Sequence, residues 1–281
     1  PTLSSAPLTV RQLQVDLSHG FARHWHSGDA FRSAYYNALS MSFPYGEQLF
    51  IDSVRACLPR LPRTPETENL HTLARDFCAQ EATHRHVHTQ YNAELQRQGL
   101  RNHWEPRSRA RYERARHINP MHHLAITAAF EHYTAVFADI VLRPPQMLEG
   151  ASAEMQQVWR WHALEETEHK TVAFDLYQTL GGSHGWRVRW FLFASISFST
   201  DAMRQTVNNL WHDGTLFKPR TLVSVAQFFF GRPSQGGGWV WLCTRPLLRY
   251  LRKDFHPNQL GDPELARTFA QRNAHTWRVV R

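Results

Sequence analysis

The stretch Trp161-His162-Ala163-Leu164-Glu165-Glu166-Thr167-Glu168-His169 decides how the chain reads. An α-helix repeats every 3.6 residues, so steps of four and three return to one face, and His162, Glu166 and His169 fall on a stripe within roughly 60° of one another. Three such donors on one stripe can grip a single metal ion. Donors of the same kind recur at three earlier points of the chain.

The first helix is expected over residues 30–58, with Asp29 as its N-cap and Phe31, Tyr35, Leu39, Phe43, Phe50 and Val54 at helical steps. Pro44 predicts a kink, because proline removes an amide donor and clashes with the preceding turn. Glu47 follows on the apolar side, where an acid is costly unless it binds something. A second helix is expected from Thr64-Pro65 to about Gln98, stopped by Gly99. At its middle Glu81 and His84 stand three apart, with His88 one turn further. Residues 100–117, rich in arginine around Trp104 and Pro106, read as a solvated basic connector that crosses between parallel neighbours. Asn119-Pro120 opens a third helix to about Leu142, where Glu131 is the one charge on a stripe of Leu124, Thr127, Ala128, Ala135 and Ala138. Pro144-Pro145 breaks it. The fourth helix, Ala153 to Leu180, carries the opening stretch and ends at Gly181-Gly182.

In order, the four helices supply Glu, ExxH, Glu and HxxxExxH. Each element is weak singly: Glu47 alone reads as a surface or salt-bridged glutamate, and an ExxH is a common coincidence among 18 histidines. Their order, helical setting and apolar surroundings are joint requirements that chance rarely meets, so a metal site is the reading that unites them. His162 is an extra nitrogen, with a satisfied core histidine as its rival reading. His88 and Glu165 qualify as supporting partners or alternative ligands, whereas Glu168 and His132 read as ordinary residues. Tyr45, Tyr91 and Tyr133 are candidate proton or radical relays, although aromatics on bundle helices are usually core.

The segments Phe43-Pro44-x-Gly46-Glu47, Gln80-Glu81-x-x-His84-x-x-x-His88, Ala128-x-x-Glu131-His132 and Trp161-His162-x-x-Glu165-Glu166-x-Glu168-His169-Lys170 closely resemble a bacterial family of predicted metal-dependent hydrolases, placed among ferritin-like proteins. The resemblance spans residues 30–260 and includes Phe255-His256-Pro257. The HxxxExxH helix also resembles that of di-iron arylamine N-oxygenases, in which the additional histidine is a third nitrogen ligand. The resemblance implies Glu47, Glu81, His84, Glu131, His162, Glu166 and His169 as metal ligands. It implies an all-α fold, a ferritin-like four-helix bundle over 30–180, with additional C-terminal helices over 184–281 in the same domain.

Oxygen-rich donors with two or three imidazoles suit iron, manganese or a mixed pair, whereas structural zinc prefers thiolates. The expected function is a non-haem di-iron enzyme that activates dioxygen to oxidise a hydrophobic or aromatic small molecule. Glu81 and Glu166 are bridging candidates, Glu47 and Glu131 cap one ion each, and an electron-donor protein is an expected partner. The competing reading is a dinuclear metal-dependent hydrolase that activates water. A non-catalytic metal-binding bundle is the third, and the basic, tryptophan-rich composition argues against metal storage.

Composition bounds these readings. The 281 residues, 42% hydrophobic, suffice for a sizeable core, and 32 Lys plus Arg exceed 24 Asp plus Glu, nearly all of the excess being arginine. Such a balance suits anionic partners. Three cysteines without a CxxC pair indicate no disulfide framework and fit a reducing cytoplasm. Pro1 to Val10 shows no basic n-region or apolar h-region, so no secretory signal is read there. No apolar run reaches the roughly 20 residues of a membrane span, the longest being Trp190 to Phe198. Residues 186–213 form an aromatic-rich helix, too apolar for a surface element, that should cover the bundle or wall a substrate cavity. Phe228-Phe229-Phe230 ends the next segment and Gly236-Gly237-Gly238 is a joint. Trp239-Val240-Trp241-Leu242 with Arg245, Arg249, Arg252 and Lys253 is either a capping helix with solvated arginines or a contact with the inner membrane face. No nucleic-acid-binding motif accompanies the charge. Homodimerisation is a further expectation, and Asp262-Pro263-Glu264 should start a final helix.

Overall fold

The computed structural model describes residues 7–143 and 147–280. It is an all-α bundle. Four helices surround the central core: α1 (Ala30–Cys57), α2 (Glu68–Arg97), α4 (Pro120–Leu142), and the consecutive α5 (Ala153–His169) and α6 (Val172–Thr179), with α3 (Trp104–Ala115) between α2 and α4. The expected break at Pro144-Pro145 lies outside the described residues.

Side-chain pairings fix the helix directions. Arg85 contacts Gln48 while Asn92 contacts Ser40, so α1 and α2 are antiparallel. Ser53 meets Thr127 and Phe50 meets Phe130, so α4 also opposes α1. His169 pairs with Gln80 and His162 with His88, so α5 opposes α2. Helices α2 and α4 are therefore parallel, and the segment between them must return from one end of the bundle to the other.

That segment is not the solvated loop expected from its charge. It contains α3, whose first amides, those of Trp104 and Glu105, donate to the Asn102 side chain. Arg107 and Arg111, one turn apart, pair with the buried Asp201, with Arg107 Nε at 2.7 Å and Arg111 Nη2 at 2.5 Å. The buried acid that orders these arginines is 94 residues further along the chain from Arg107, beyond the reach of any local pattern.

Helix α1 runs unbroken through Pro44. Proline leaves the carbonyl four residues earlier without its helical donor. That carbonyl is Ser40, and Asn92 Nδ2 donates to it at 2.9 Å. Asp29 caps α1 as expected, accepting from the Arg32 amide. Helix α2 begins at Glu68 rather than Pro65, because Thr64 and Thr67 close a turn in which the amides of Thr67 and Glu68 both donate to the Thr64 carbonyl. The expected continuous fourth helix is interrupted at Lys170-Thr171, directly after His169. Nothing in the helix propensities marks this break; there Lys170 Nζ donates to the Leu260 carbonyl at 2.6 Å.

The C-terminal helices α7 (His184–His212), α8 (Pro219–Phe230) and α9 (Trp239–Arg249) lie over the side of the bundle formed by α1 and α4. Phe31 of α1 packs on Phe228 of α8, and Phe137 of α4 packs on Phe198 of α7 and Trp239 of α9. Covering the bundle was expected of residues 186–213; their outer face nonetheless stays exposed and apolar, including Ile196 and Trp211. The final helix, α10 (Pro263–Arg272), starts with Asp262 as its cap. Two short strands absent from the sequence reading, β1 (Arg11–Leu13) and β2 (Trp277–Val279), pair antiparallel with Arg11 opposite Val279. Their three-residue length offers too little alternation to recognise.

By length and mean hydropathy of 1.3, α4 is long and apolar enough to span a bilayer, which corrects the expectation that the longest apolar stretch is Trp190 to Phe198. It is the buried core helix of the bundle, carrying Glu131 at 1% exposure.

Candidate metal centre

The seven candidate ligands meet in the middle of the bundle. Helix α1 supplies Glu47, α2 supplies Glu81 and His84, α4 supplies Glu131, and α5 supplies His162, Glu166 and His169, all buried. Donor atoms of Glu81, Glu131, Glu166 and His169 lie within 4.8 Å of one another. So do those of Glu47, Glu81 and His84, and those of His84, His162 and Glu166. Glu47, Glu81, His84, His162 and Glu166 each recur in a second group, and of the four-donor group only Glu81 and Glu166 do so, Glu81 with Glu47 and His84, Glu166 with His84 and His162.

Around His169 Nε2 stand oxygens of Glu81 at 3.2 Å, Glu131 at 3.3 Å and Glu166 at 3.4 Å. Atoms coordinated at about 2.1 Å to one ion sit about 3.0 to 3.4 Å apart, and these distances fall within that range. Both oxygens of Glu47, Glu81 and Glu131, together with Glu166 Oε2, His84 Nδ1 and His169 Nε2, are buried without a hydrogen-bond partner among the described residues. Buried polar atoms are normally satisfied, and a cluster of orphans facing one point calls for a cation. Four carboxylates would balance two divalent ions. The donor set therefore fits a metal pair.

Electrostatics agree. Burial and then the Glu166 charge push the Glu47 and Glu81 carboxyls well above the usual carboxylate range. Burial likewise pushes Glu131 up to about 7. Burial would raise Glu166 also, but the charge of the nearby His169 and the hydrogen bond from His162 hold it well below its ordinary value. For His169, burial is outweighed by Glu166 and Glu131, and its pKa is raised. The raised carboxyls favour holding protons, which a bound cation would displace.

A second layer of contacts sets which imidazole nitrogen faces the cluster. Gln80 donates from Nε2 to the Thr9 carbonyl and to Glu168, so its Oε1 lies 3.0 Å from His169 Nδ1 and accepts there. His169 Nε2 is thereby turned to the carboxylates. His84 Nε2 donates to Glu165 at 3.1 Å, leaving Nδ1 for the cluster. For His162, Nδ1 contacts His88 Nε2 at 2.8 Å and Nε2 lies 2.9 Å from Glu166. His88 is in turn held by Ser40, whose hydroxyl donates to Asn92. His88 also joins Glu47 and His162 in a fourth potential donor group. Arg11, from the terminal strand, donates to Glu168 at 2.7 and 2.8 Å and by its amide to Glu165 at 3.0 Å. Glu168 is thus not ordinary. Gln80 and Glu168 stand in the motifs, but spacing gives neither of them this supporting role and gives Arg11 no signal at all; the position of Gln80 beside Glu81 is the one local hint.

His132 is buried but apart, stacked on Tyr250 at 4.7 Å and bonded to the Leu247 carbonyl. Tyr91 donates to Asn37, Tyr133 stacks on Phe191, and Tyr45 lies under Arg109. Tyr91 also packs against His88 with ring centroids 6.0 Å apart, whereas these contacts of Tyr133 and Tyr45 do not reach the donor cluster.

Fold and centre define a helical bundle with a buried glutamate and histidine cluster able to hold metal. Residues 9–261 match the family described as predicted metal-dependent hydrolase, and the chain belongs to that family. No curated protein and no solved structure matches the chain.

Proposed function

We propose that the chain is a dinuclear metal-dependent enzyme with a ferritin-like bundle, holding two ions between Glu47, Glu81, His84, Glu131, His162, Glu166 and His169. The single observation that carries this reading is the set of orphaned carboxylate and imidazole atoms converging in the buried core. The return crossover between the parallel α2 and α4 supports the ferritin-like assignment. Glu81 and Glu166, the two carboxylates that link the four-donor group to the others, are the bridging candidates.

A metal pair supplies Lewis acidity for water activation or, as iron, reducing electrons for dioxygen. Hydrolysis is the chemistry favoured by the family's description. Dioxygen activation on a hydrophobic substrate is the second reading, favoured by the all-Glu and His donor set with no cysteine in any of the donor groups. In either, the chain's own work is positional. Gln80, Glu165 and His88 orient the three imidazoles, and Phe77, Trp161 and Phe43 pack their rings within 5.0 Å of His169, His84 and His162, limiting water around them.

The test is metal analysis of protein purified without added ions, followed by anaerobic ferrous loading and exposure to oxygen. Two equivalents of metal support the dinuclear centre, and metal-free protein that takes up none refutes it. Rapid oxygen consumption with a new absorption band favours dioxygen chemistry. Spectroscopic silence with ester or amide cleavage favours hydrolysis.

A further inference from the structure

Large apolar side chains are exposed on one region of this protein. Of the fifteen most exposed among the described residues, thirteen fall between Trp186 and Leu248. Ile196 is 71% exposed, Trp211 63%, Phe217 76%, Leu222 58%, Trp241 62% and Leu248 54%. Contiguous apolar surface of this kind marks a contact site. These residues lie on α7, α8, α9 and the α7–α8 turn. Those helices cover the same side of the bundle, so their outer faces turn away from one core.

Charge on this region has a single sign. From Leu176 to Lys253 the chain has ten Lys and Arg against two acids, Asp201 and Asp213. Both acids are taken: Asp201 by Arg107 and Arg111, and Asp213 by Arg23 and His24. Arg189, Arg204, Arg220 and Arg245 stand exposed among the apolar residues, with Arg189 stacked over Trp186 at 5.0 Å. Arg252 alone is offset, by Asp254.

We propose that this face docks on the surface of an anionic lipid bilayer, its aliphatic and aromatic side chains entering the headgroup boundary while its arginines meet lipid phosphates. The combination is that of an interfacial element, with apolar side chains for the acyl boundary and cations for the headgroups. A second copy of the chain fits less well, because a two-fold contact sets these cations against themselves. Nucleic acid would use the charge but leave Ile196, Leu222 and Leu248 without a purpose. The proposal stands apart from the metal chemistry, and its test needs no turnover.

Full-length protein is sedimented with vesicles of phosphatidylcholine containing phosphatidylglycerol, and with vesicles of phosphatidylcholine alone. We expect binding to the anionic vesicles, weakened at high salt, with quenching of tryptophan fluorescence by brominated acyl chains. The triple variant Arg204→Gln/Arg220→Gln/Arg245→Gln should bind about a hundredfold more weakly, at about fivefold per cation. Ile196→Glu/Leu222→Glu/Leu248→Glu should abolish quenching, with circular dichroism and metal content matching the parent protein. Absence of vesicle binding, or equal binding to both compositions, overturns the proposal. So does a dimer in analytical ultracentrifugation that the apolar triple variant dissolves, or retention on duplex DNA without retention on vesicles.

Discussion

The side-chain oxygen of Gln80 lies 3.0 Å from Nδ1 of His169 and turns the other imidazole nitrogen toward three carboxylates. Gln80 is itself held by Glu168, and Glu168 by Arg11, so a residue of the terminal strand reaches the centre through two intermediaries. Through Glu165 the same Arg11 reaches His84.

Partners that orient metal-bound imidazoles are typically worth about 10- to 100-fold in metal affinity. Gln80→Leu, which removes the acceptor, should weaken binding by that order while keeping the stoichiometry, and Gln80→Glu, which keeps an acceptor but loses the donors to Glu168 and Thr9, should recover only part of it. Competition titration against a chelator measures both. Equal affinity in Gln80→Leu and the parent protein would refute the positioning role.

Glu166→Ala should lose at least one equivalent of metal, because Glu166 belongs to overlapping donor groups. Glu168→Ala should keep both equivalents at reduced affinity, since Glu168 acts through Gln80. Elemental analysis separates the two, and identical metal content in the variants would sink the ligand assignment.

Metal-free protein carries the strain of buried acids. The folded pKa values of Glu47 and Glu81 are raised, so their contribution is fully present below the ordinary carboxylate range and is lost as pH rises through the folded values. Glu47→Gln/Glu81→Gln should therefore stabilise the metal-free protein at neutral pH by about 1–3 kcal/mol, more at higher pH, while abolishing stabilisation by added metal. Thermal unfolding with and without chelator is the measurement; a less stable metal-free variant would contradict the reading.

His26 is buried away from the centre, its Nε2 bonded to the Met147 carbonyl at 2.7 Å, and burial lowers its pKa from 6.5 to about 4. Its stabilising contribution is present above pH 6.5 and is lost as pH falls toward 4, because the unfolded chain takes the proton first. The loss approaches about 3 kcal/mol at about 1.4 kcal/mol per pH unit. His26→Gln retains a donor for Met147 and should flatten denaturant-measured stability across this window. An unchanged slope would remove His26 as the cause.

At Pro44, Asn92 replaces the helical donor that proline lacks. Asn92→Leu should cost about 1–3 kcal/mol in urea denaturation, the loss of a buried acceptor's partner. Pro44→Ala in that background should recover part of it by restoring an amide to Ser40. No recovery would mean that Asn92 acts elsewhere.

Spacing alone put Glu47, ExxH, Glu131 and HxxxExxH on apolar helical stripes, because the helical period converts sequence separation into direction. The same local rules placed Asp29 and Asn119 as caps and Gly99 as a stop. Helix α3, the break after His169 and the support from Gln80 and Arg11 escaped, since each depends on a partner distant in sequence: Asp201, Leu260, or the α5 face. The outward apolar face of α7 was misjudged because composition counts hydrophobic residues without saying which side the core will take.

By itself, then, the sequence determined an all-α bundle and the residues that could bind metal, through periodicity that is a property of one helix at a time. Tertiary structure alone decided that these donors share one buried cluster, which nitrogen of each imidazole points into it, and which apolar faces remain outside. Those outcomes depend on contacts between segments, whose distances no single helix encodes.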